Sequence, residues 1–343
     1  MKVFWRLKYC ACLLWLAGSA FAQTNVVTDP VGFITLTAVG GGYSYISLGL
    51  TQPVASRGLV SGVSGTQIMV SDTLTNGQFS QIITNSSTNC VAFIEITSGP
   101  NAGFMDDIIS NSTTAVYTQD DNSSLVSSGQ TYKIYPHWTF NTAFGPPSQC
   151  GLYGSNSVAN ADNVIIWNPN NQQPMTYWYR STGASPGWRD GNSTTIDRGS
   201  TVLYIEQGIL IQRKVAGDAT NRLVGAVKLG ATVNPAVAGG YTYLGMPYAS
   251  YYTLSNSLLY TGNWLTGVYG SNSIVNADNV IVWDPVTQQP ATYWYRSTGA
   301  TPGWRDGNST TIDRGTNQLP FGAVMLIQRK IATNMNYVMP SPY

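Results

Sequence analysis

The amino-acid sequence predicts an all-β protein with two tandem related β-sandwich or barrel-like units, the first of which carries an inserted small β-barrel-like module. Three observations support this fold class. One block of sequence occurs twice, short runs of β-branched and aromatic residues alternate with turns rich in Gly, Pro and Asn, and helix patterns are almost absent. Only Ser56–Val60 and Phe140–Phe144 have the pattern of short helical turns.

The repeat sets the domain organisation. Residues 153–199 align without gaps with residues 269–315 at a constant offset of 116, and all but eight of the forty-seven positions are identical. Fainter matches pair Val31–Leu36 with Val224–Leu229, Gly42–Tyr45 with Gly240–Tyr243, and His137–Phe140 with Tyr251–Leu254. We therefore predict a first β unit at 23–216, with a β module inserted at about 59–136, and a second β unit at 217–343.

The positions of the turns predict the strands within these parts. In the repeated block, Val164–Trp167, Met175–Arg180 and Trp188–Arg189 are separated by two turns, which predicts a three-stranded meander. In the insertion, strand-like runs separated by turns predict a second meander, at Cys90–Thr97, Phe104–Ser110, Ala115–Thr118 and Thr131–Tyr135.

The N-terminus has the pattern of a signal peptide. Lys2, Arg6 and Lys8 flank the start of an apolar run at 9–17, and the small-residue cleavage site Ala20-Phe21-Ala22 follows. We predict a signal peptide at 1–22 and a secreted product, extracellular or on the cell surface. No later apolar run approaches the ~20 residues that cross a bilayer, so no membrane span is expected.

Charge and cysteine content limit the partners. Without the leader, 14 Lys plus Arg remain against 16 Asp plus Glu, a net charge of −2, which excludes an electrostatic nucleic-acid surface. Strands with few charges also favour edge-to-edge association. An exported chain meets an oxidising compartment, so Cys90 and Cys150 allow one disulfide; the alternative is two separate buried thiols.

Several stretches resemble a known group of proteins. They are the opening VTDPVGFITLT, the stretch ITSGPNAGFMDDIISNSTTAVYTQDD in the insertion, and the repeated ADNVIIW…YWYR…GW pattern. Together they resemble an uncharacterised family of secreted verrucomicrobial β-rich proteins over essentially the whole mature chain. The resemblance implies export and β structure, and it carries over no assigned activity.

The sequence offers little for catalysis. His137 is the single histidine and is replaced by Tyr251 in the second unit, and the GxSxG and HExxH motifs are missing. A glycosidase would need two carboxylates flanking one linkage. The aspartates that recur in both copies are more simply interpreted as turn caps, so we predict that the protein is not an enzyme. They are Asp162 and Asp278, Asp190 and Asp306, and Asp197 and Asp313.

The same turns offer oxygen ligands for calcium. Asp190, Asn192 and Asp197 recur as Asp306, Asn308 and Asp313, although their spacing follows no standard calcium loop. Calcium is the one cofactor that the sequence allows; the alternative is again turn capping.

Repeated aromatic residues are the candidate binding surface. Tyr179 lies on the opposite strand face from Trp178, so one face belongs to the core and the other is free for assembly or for stacking on a glycan. Burial of both faces in a two-sheet sandwich is the alternative. The binding candidates are Trp178, Trp188, Trp294, Trp304, Tyr179 and Tyr295.

These patterns favour a non-enzymatic structural subunit that self-assembles into an extracellular filament or surface layer. Other copies of the chain are the expected partners, with strand addition through residues 24–31 or 334–343. The alternative is a carbohydrate-binding or adhesion protein that contacts surface polysaccharide. The near-identity of the two blocks is interpreted as one surface presented twice, and recent gene conversion would explain it equally.

Overall fold

The computed structural model describes residues 29–84, 87–183, 185–299 and 301–343. The signal peptide predicted at 1–22, and the rest of the segment before residue 29, lie outside the described residues. Within them the regular secondary structure is almost entirely β, as the sequence predicts. No described helix is long and apolar enough to pass through a lipid bilayer.

The strands fall into an inserted barrel and two copies of one fold. The strands before and within the barrel are β1 (Val31–Ala38), β2 (Tyr43–Ile46), β3 (Ser56–Ser64), β4 (Gln67–Val70), β5 (Ile82–Thr84), β6 (Ser87–Asn89), β7 (Ala92–Ile96), β8 (Met105–Asn111), β9 (Ala115–Thr118) and β10 (Thr131–Pro136). The rest of the first copy contains β11 (Trp138–Thr139), α1 (Phe140–Ala143), α2 (Pro147–Cys150), β12 (Asn163–Asn168), β13 (Gln173–Arg180), β14 (Gly187–Asp190), β15 (Val202–Leu203), β16 (Ile209–Gln212) and β17 (Ala219–Ala226).

The second copy contains β18 (Thr232–Ala236), β19 (Tyr241–Gly245), β20 (Tyr252–Thr253), β21 (Asn279–Asp284), β22 (Gln289–Arg296), β23 (Gly303–Asp306), β24 (Gln318–Leu319), β25 (Val324–Gln328) and β26 (Met335–Met339). The two copies have the same topology. A five-stranded antiparallel sheet in the order β14-β13-β12-β16-β2 matches one in the order β23-β22-β21-β25-β19. The three-stranded meander predicted for the repeated block is the outer part of each sheet.

Each copy also contains a two-stranded ribbon, β1-β17 in the first and β18-β26 in the second. In the first ribbon Val31 lies opposite Ala226, and Phe33 lies opposite Val224. The fainter sequence match between Val31–Leu36 and Val224–Leu229 therefore does not join equivalent strands: Val224–Ala226 is the end of β17, which pairs with β1, and the strand equivalent to β1 is β18. Residues 219–226, which the sequence analysis assigned to the second unit, complete the first copy.

The cores follow from strand alternation. On β1 the buried Ile34, Leu36 and Ala38 alternate with exposed residues and pack with the first five-stranded sheet, as expected for a strand with one covered face. A separate set of buried residues forms the core of the second copy. Sheet and ribbon thus enclose a core in each copy, which is the predicted pair of related β units.

The inserted module is a closed six-stranded barrel in the order β10-β3-β4-β9-β8-β7. All five residues of β7 are buried, because the two faces of this strand are covered by different parts of the molecule. Ile94 lies in the barrel core, whereas Phe93 lies in the core of the first copy. Glu95, also on the outer face, forms a buried ion pair with Lys228. The barrel is therefore fixed to the rest of the chain through β7.

The two predicted helical turns have different outcomes. Phe140–Ala143 is helical, with Thr139 capping its start. Ser56–Val60 is instead the first part of β3, because this segment pairs with β10 to close the barrel. A further helical turn at Pro147–Cys150 begins after Pro146 and ends at Gly151 in the left-handed conformation, with a φ of 71°.

Candidate functional site

The four repeated tryptophans that the sequence suggested for binding lie in the interior. Trp178, Trp188, Trp294 and Trp304 are each at most 2% exposed. Trp188 packs against Phe140 in the core of the first copy, at a ring-centroid distance of 4.8 Å. Their burial removes them as a docking or stacking surface.

The opposite face of the meander is covered as well. Trp178 lies directly opposite Arg189 in the β13-β14 pairing, and both side chains are buried. The Trp178 indole N–H donates to the carbonyl of Asp190 over 3.3 Å, and Arg189 Nε donates to the carbonyl of Thr194 over 3.0 Å. The loop after β14 therefore contributes to the cover of this face, so aromatic side chains are buried on both faces of the meander.

Tyr179 and Tyr295 are partly buried in the same layers. The Tyr179 ring lies edge-on to Trp188 with centroids 5.6 Å apart, and Tyr295 lies edge-on to Trp304 at 5.5 Å. Tyr260 also stacks on Tyr295. Both tyrosines thus extend the core and do not form an open platform.

The predicted calcium ligands are committed to turn and ion-pair contacts. Asp190 accepts hydrogen bonds from the backbone N–H groups of Asn192 and Ser193, and its second oxygen accepts from Arg198 Nε over 2.6 Å. Asp197 is paired with Arg189 at 3.3 Å. Guanidinium groups and backbone N–H groups therefore bind both oxygens of Asp190 and Oδ1 of Asp197.

The second copy repeats this arrangement. Asp306 accepts from the backbone N–H groups of Asn308 and Ser309 and pairs with Arg314, and Asp313 pairs with Arg305. No cluster of three metal-ligating side chains exists among the described residues. These contacts correspond to the turn-capping interpretation of the recurring aspartates.

The remaining recurring aspartates are structural too. Asp162 is buried and binds Arg213 at 2.5 Å, and Asp278 is buried and binds Arg329 at 2.6 Å. The two cysteines that the sequence allowed to pair, Cys90 and Cys150, are free buried thiols. The Cys90 thiol accepts a hydrogen bond from Gln81, whereas the Cys150 thiol donates to the carbonyl of Pro146, so each has its own local environment.

One matched pair of aromatic residues lies outside the cores, at the contact between the two copies. Trp167 Nε1 donates to the carbonyl of Tyr241 in the second copy over 3.0 Å. Reciprocally, Trp283 Nε1 donates to the carbonyl of Tyr43 in the first copy over 3.1 Å. The two repeated hairpins therefore each reach across to the edge strand of the other copy.

A glutamine completes each reciprocal contact. The side-chain amide of Gln172 accepts from the N–H of Tyr241 over 2.8 Å and donates to its carbonyl over 3.1 Å. Gln288 does the same to Tyr43, over 2.7 and 3.0 Å. Both glutamines have positive φ, 54° and 55°, in the tight turns of the hairpins. Each amide thus pairs with an edge residue as another strand would, which protects that sheet edge.

Two clefts flank this contact, and they are lined by equivalent residues. The first cleft, of about 370 Å³, has Trp167 and Tyr243 in its wall. The second cleft, of about 230 Å³, has the equivalent Trp283 and Tyr45. Further equivalent pairs in the two linings are Pro169 and Pro285, Thr242 and Ser44, Leu244 and Ile46, and Pro235 and Thr37.

The clefts differ at one end. Tyr204 and Glu206 line the first cleft, whereas Pro320 and Gly322 stand at the equivalent positions of the second. Tyr204 and Glu206 also line a neighbouring cavity of about 200 Å³ between the barrel and the first copy. We call this space the acidic cavity, because its lining includes Asp106, Asp107, Asp120 and Glu206.

The single histidine lies in the acidic cavity. His137 Nε2 is 2.8 Å from Asp107 Oδ1, and the Tyr204 hydroxyl donates to Asp107 Oδ2 over 2.8 Å. The His137 ring lies between those of Phe93 and Tyr204, at centroid distances of 4.9 and 5.0 Å. His137 is only 5% exposed, and its Nδ1 has no hydrogen-bond partner among the described residues.

Burial shifts the protonation equilibria around this cavity. Burial raises the pKa of Glu206 and of Asp106 above the usual values. It also raises the pKa of the Tyr204 hydroxyl, and the charge of Asp107 adds to that shift. Burial therefore disfavours the charged forms of these acidic groups in the cavity.

Sequence reasoning missed this region for an identifiable reason. Its residues come from the barrel, from the link between β10 and β11, and from the segment after β15, and no local spacing connects them. The available signal was a difference between the copies: Tyr204 and Glu206 stand where the otherwise parallel second copy has Pro320 and Gly322.

Fold and clefts together define a duplicated all-β protein with an inserted barrel and two equivalent aromatic clefts. No protein-family model matches the chain, and comparisons with curated proteins and with solved structures find no match.

Proposed function

We propose that the protein is a non-enzymatic extracellular protein that binds carbohydrate chains in its two equivalent clefts. The observation that carries this proposal is the duplication of an aromatic wall, Trp167 with Tyr243 and Trp283 with Tyr45, in two open clefts. Aromatic faces pack against the apolar face of a sugar ring, and a few polar groups at the rim fix its hydroxyls.

The walls are held in place before any ligand arrives. Each indole N–H is bonded to the other copy, and Tyr45 stacks on Tyr243 with centroids 5.6 Å apart. In the first cleft Asn168, Asn170 and Gln207 supply amide groups at the rim. Fixed aromatic walls reduce the entropy lost on binding. Two clefts on one chain also suit a repeating polymer, since linked sites raise the effective affinity by about 10²–10⁴.

The test is binding of neutral polysaccharides and their oligomers, followed by calorimetry. Trp167→Ala and Trp283→Ala should each weaken binding by about tenfold or more while circular dichroism stays unchanged. Trp264, which is half exposed and lies outside both clefts, provides the control variant Trp264→Ala. Loss of binding in the control alone, or binding by none of the proteins, would overturn the proposal.

Self-association is a second candidate function, and the β1-β17 ribbon of the first copy favours it. Phe33 and Val224 lie directly opposite each other and are 73% and 61% exposed, and the neighbouring Val31 is 72% exposed. The backbone of β1 bonds to β17, and its other edge has no hydrogen-bond partner among the described residues. In the second copy both ribbon edges carry a contact: Val233 N–H donates to Gly103 and Asn336 N–H to Leu265.

The occupant that fits this edge is β1 of a second copy of the chain. Antiparallel pairing of two β1 strands would continue the ribbon and bring the exposed apolar residues of the two copies together. Such a contact closes as a dimer, and the filament or surface layer that the sequence predicts needs a further contact. Sedimentation of the mature protein should show dimers that Phe33→Asp removes and that Val286→Asn, a change at another exposed valine, leaves intact. A monomer at high concentration would overturn this candidate.

The duplicated block itself no longer supports docking to neighbouring copies. Its matched groups, Trp167 with Gln172 and Trp283 with Gln288, contact the opposite half of the same chain. Export, and the resemblance to secreted verrucomicrobial proteins, stay predictions that the mature protein in culture supernatant would test.

A further inference from the structure

We propose that the first cleft and the acidic cavity together form a site for an amino sugar, whose ring lies in the cleft and whose ammonium group lies in the cavity. This inference rests on the proposed carbohydrate function and names the ligand class of one of the two clefts. Its basis is that Tyr204 and Glu206 line both spaces, so the cleft and the cavity adjoin at these two side chains.

The charge of the cavity is the first argument. Its lining contains four carboxylates and neither Lys nor Arg. An ammonium group that acts on Glu206 is that of Lys228, which is buried and already bound to Glu95 and to the carbonyl of Ala231. His137 is the one basic side chain in this lining and is paired with Asp107, so the other three carboxylates face no further cation of the lining and an ammonium group would complement them.

The second argument is that a buried nitrogen of His137 makes no hydrogen bond to the described residues. If Nε2 of His137 donates to Asp107, the neutral ring presents Nδ1 as an acceptor, and this buried atom has no partner among the described residues. A buried acceptor without a donor costs free energy, so Nδ1 is an unsatisfied group beside the cavity. The Glu206 carboxylate accepts a hydrogen bond from its own backbone N–H.

The second cleft supplies an internal comparison. Pro320 and Gly322 replace Tyr204 and Glu206 there, so the second cleft keeps the aromatic wall without the carboxylate. The two clefts should therefore share an affinity for neutral sugar rings, and the first alone should prefer a ring that carries an amine.

The experiment compares two ligands of one backbone, a glucosamine tetramer and its fully N-acetylated form, by calorimetry at about pH 6, where amines are protonated. The wild-type protein should bind the free amine about tenfold or more tightly than the acetylated tetramer. Glu206→Gln should remove that preference, so that the two tetramers bind this variant with equal affinity. Asp284→Asn, which restores the residue of the equivalent position 168, removes a carboxylate elsewhere and should keep the preference.

The outcomes separate the two proposals. Equal affinity of the wild-type protein for both tetramers, or a preference that survives in Glu206→Gln, overturns this inference and leaves the carbohydrate function standing. A linear diamine that binds as tightly as the glucosamine tetramer overturns the sugar component. Binding of neither tetramer, together with failure of the neutral polysaccharides, overturns both.

Discussion

Tyr45 stacks on Tyr243 with ring centroids 5.6 Å apart and planes inclined by 28°, and each residue is the other's equivalent in the duplicated fold. Contact between equivalent residues is characteristic of a two-fold related interface. Here that interface is built within one chain, and the reciprocal hairpin contacts of Gln172 and Gln288 surround it. The near-identity of the two repeated blocks thus has a structural counterpart in a symmetric contact of the chain with itself.

The first prediction concerns these glutamines. Gln172→Ala should destabilise the protein by about 1 kcal/mol, because the Tyr241 backbone loses both of its hydrogen bonds to the amide. Gln288→Ala should have a similar effect through Tyr43. Urea denaturation measures both changes, and the neighbouring exposed Gln173→Ala is the matched control. A loss in the control as large as in Gln172→Ala would contradict the edge-capping role.

The second prediction concerns the barrel attachment. Lys228→Met should destabilise the protein by about 3–5 kcal/mol, because it leaves the buried carboxylate of Glu95 unpaired. The double variant Lys228→Met with Glu95→Leu should recover most of that loss, since no buried charge remains. Denaturant unfolding of the three proteins checks the coupling, and equal stability of the single and double variants would show that the pair is not coupled.

A pH-dependent stability follows from Glu206. Because burial raises its pKa in the folded protein, the folded state holds this proton more tightly than the unfolded chain does. The stabilisation from protonated Glu206 is fully present at pH values below the pKa that this carboxyl has in the unfolded chain. It is lost as the pH rises through the higher pKa that the carboxyl has in the folded protein. The charges acting on it are those of His137, Asp107 and Lys228.

Glu206→Gln should therefore be more stable than the wild-type protein at about pH 8 and equally stable at about pH 4. Asp284 gives the opposite sign, because hydrogen bonds from the backbone N–H groups of Val286 and Thr287 and from the Thr287 hydroxyl lower its pKa. Asp284→Asn should be less stable than the wild-type protein at the higher pH. Thermal unfolding at both pH values measures the differences, and equal signs for the two variants would contradict this assignment.

The thiols provide a fourth prediction. Cys90 and Cys150 are free and buried, and burial raises the pKa of each thiol. Ellman's reagent should thus react slowly with the folded protein and modify both thiols in denaturant, and a reducing agent should leave the melting temperature unchanged. A lower melting temperature under reduction would indicate a disulfide.

Local patterns in the sequence predicted the positions of the strands well, but they predicted poorly which strand faces are buried. The β12-β13-β14 meander lies where its runs and turns placed it, because turn chemistry is a local property. The burial of Trp178 could not be predicted from strand patterns, because Arg189 and the loop after β14 cover its face. The acidic cavity was out of reach for the same reason, since Asp107 and Tyr204 meet only once the barrel is closed and fixed to the first copy.

The central claim is that the duplicated fold holds two equivalent carbohydrate clefts. The number of neutral oligosaccharide molecules bound per chain tests this claim most directly. Calorimetry should give two sites per chain for the wild-type protein and one for each of Trp167→Ala and Trp283→Ala. A single site in the wild-type protein, or two sites that persist in both variants, would contradict the account.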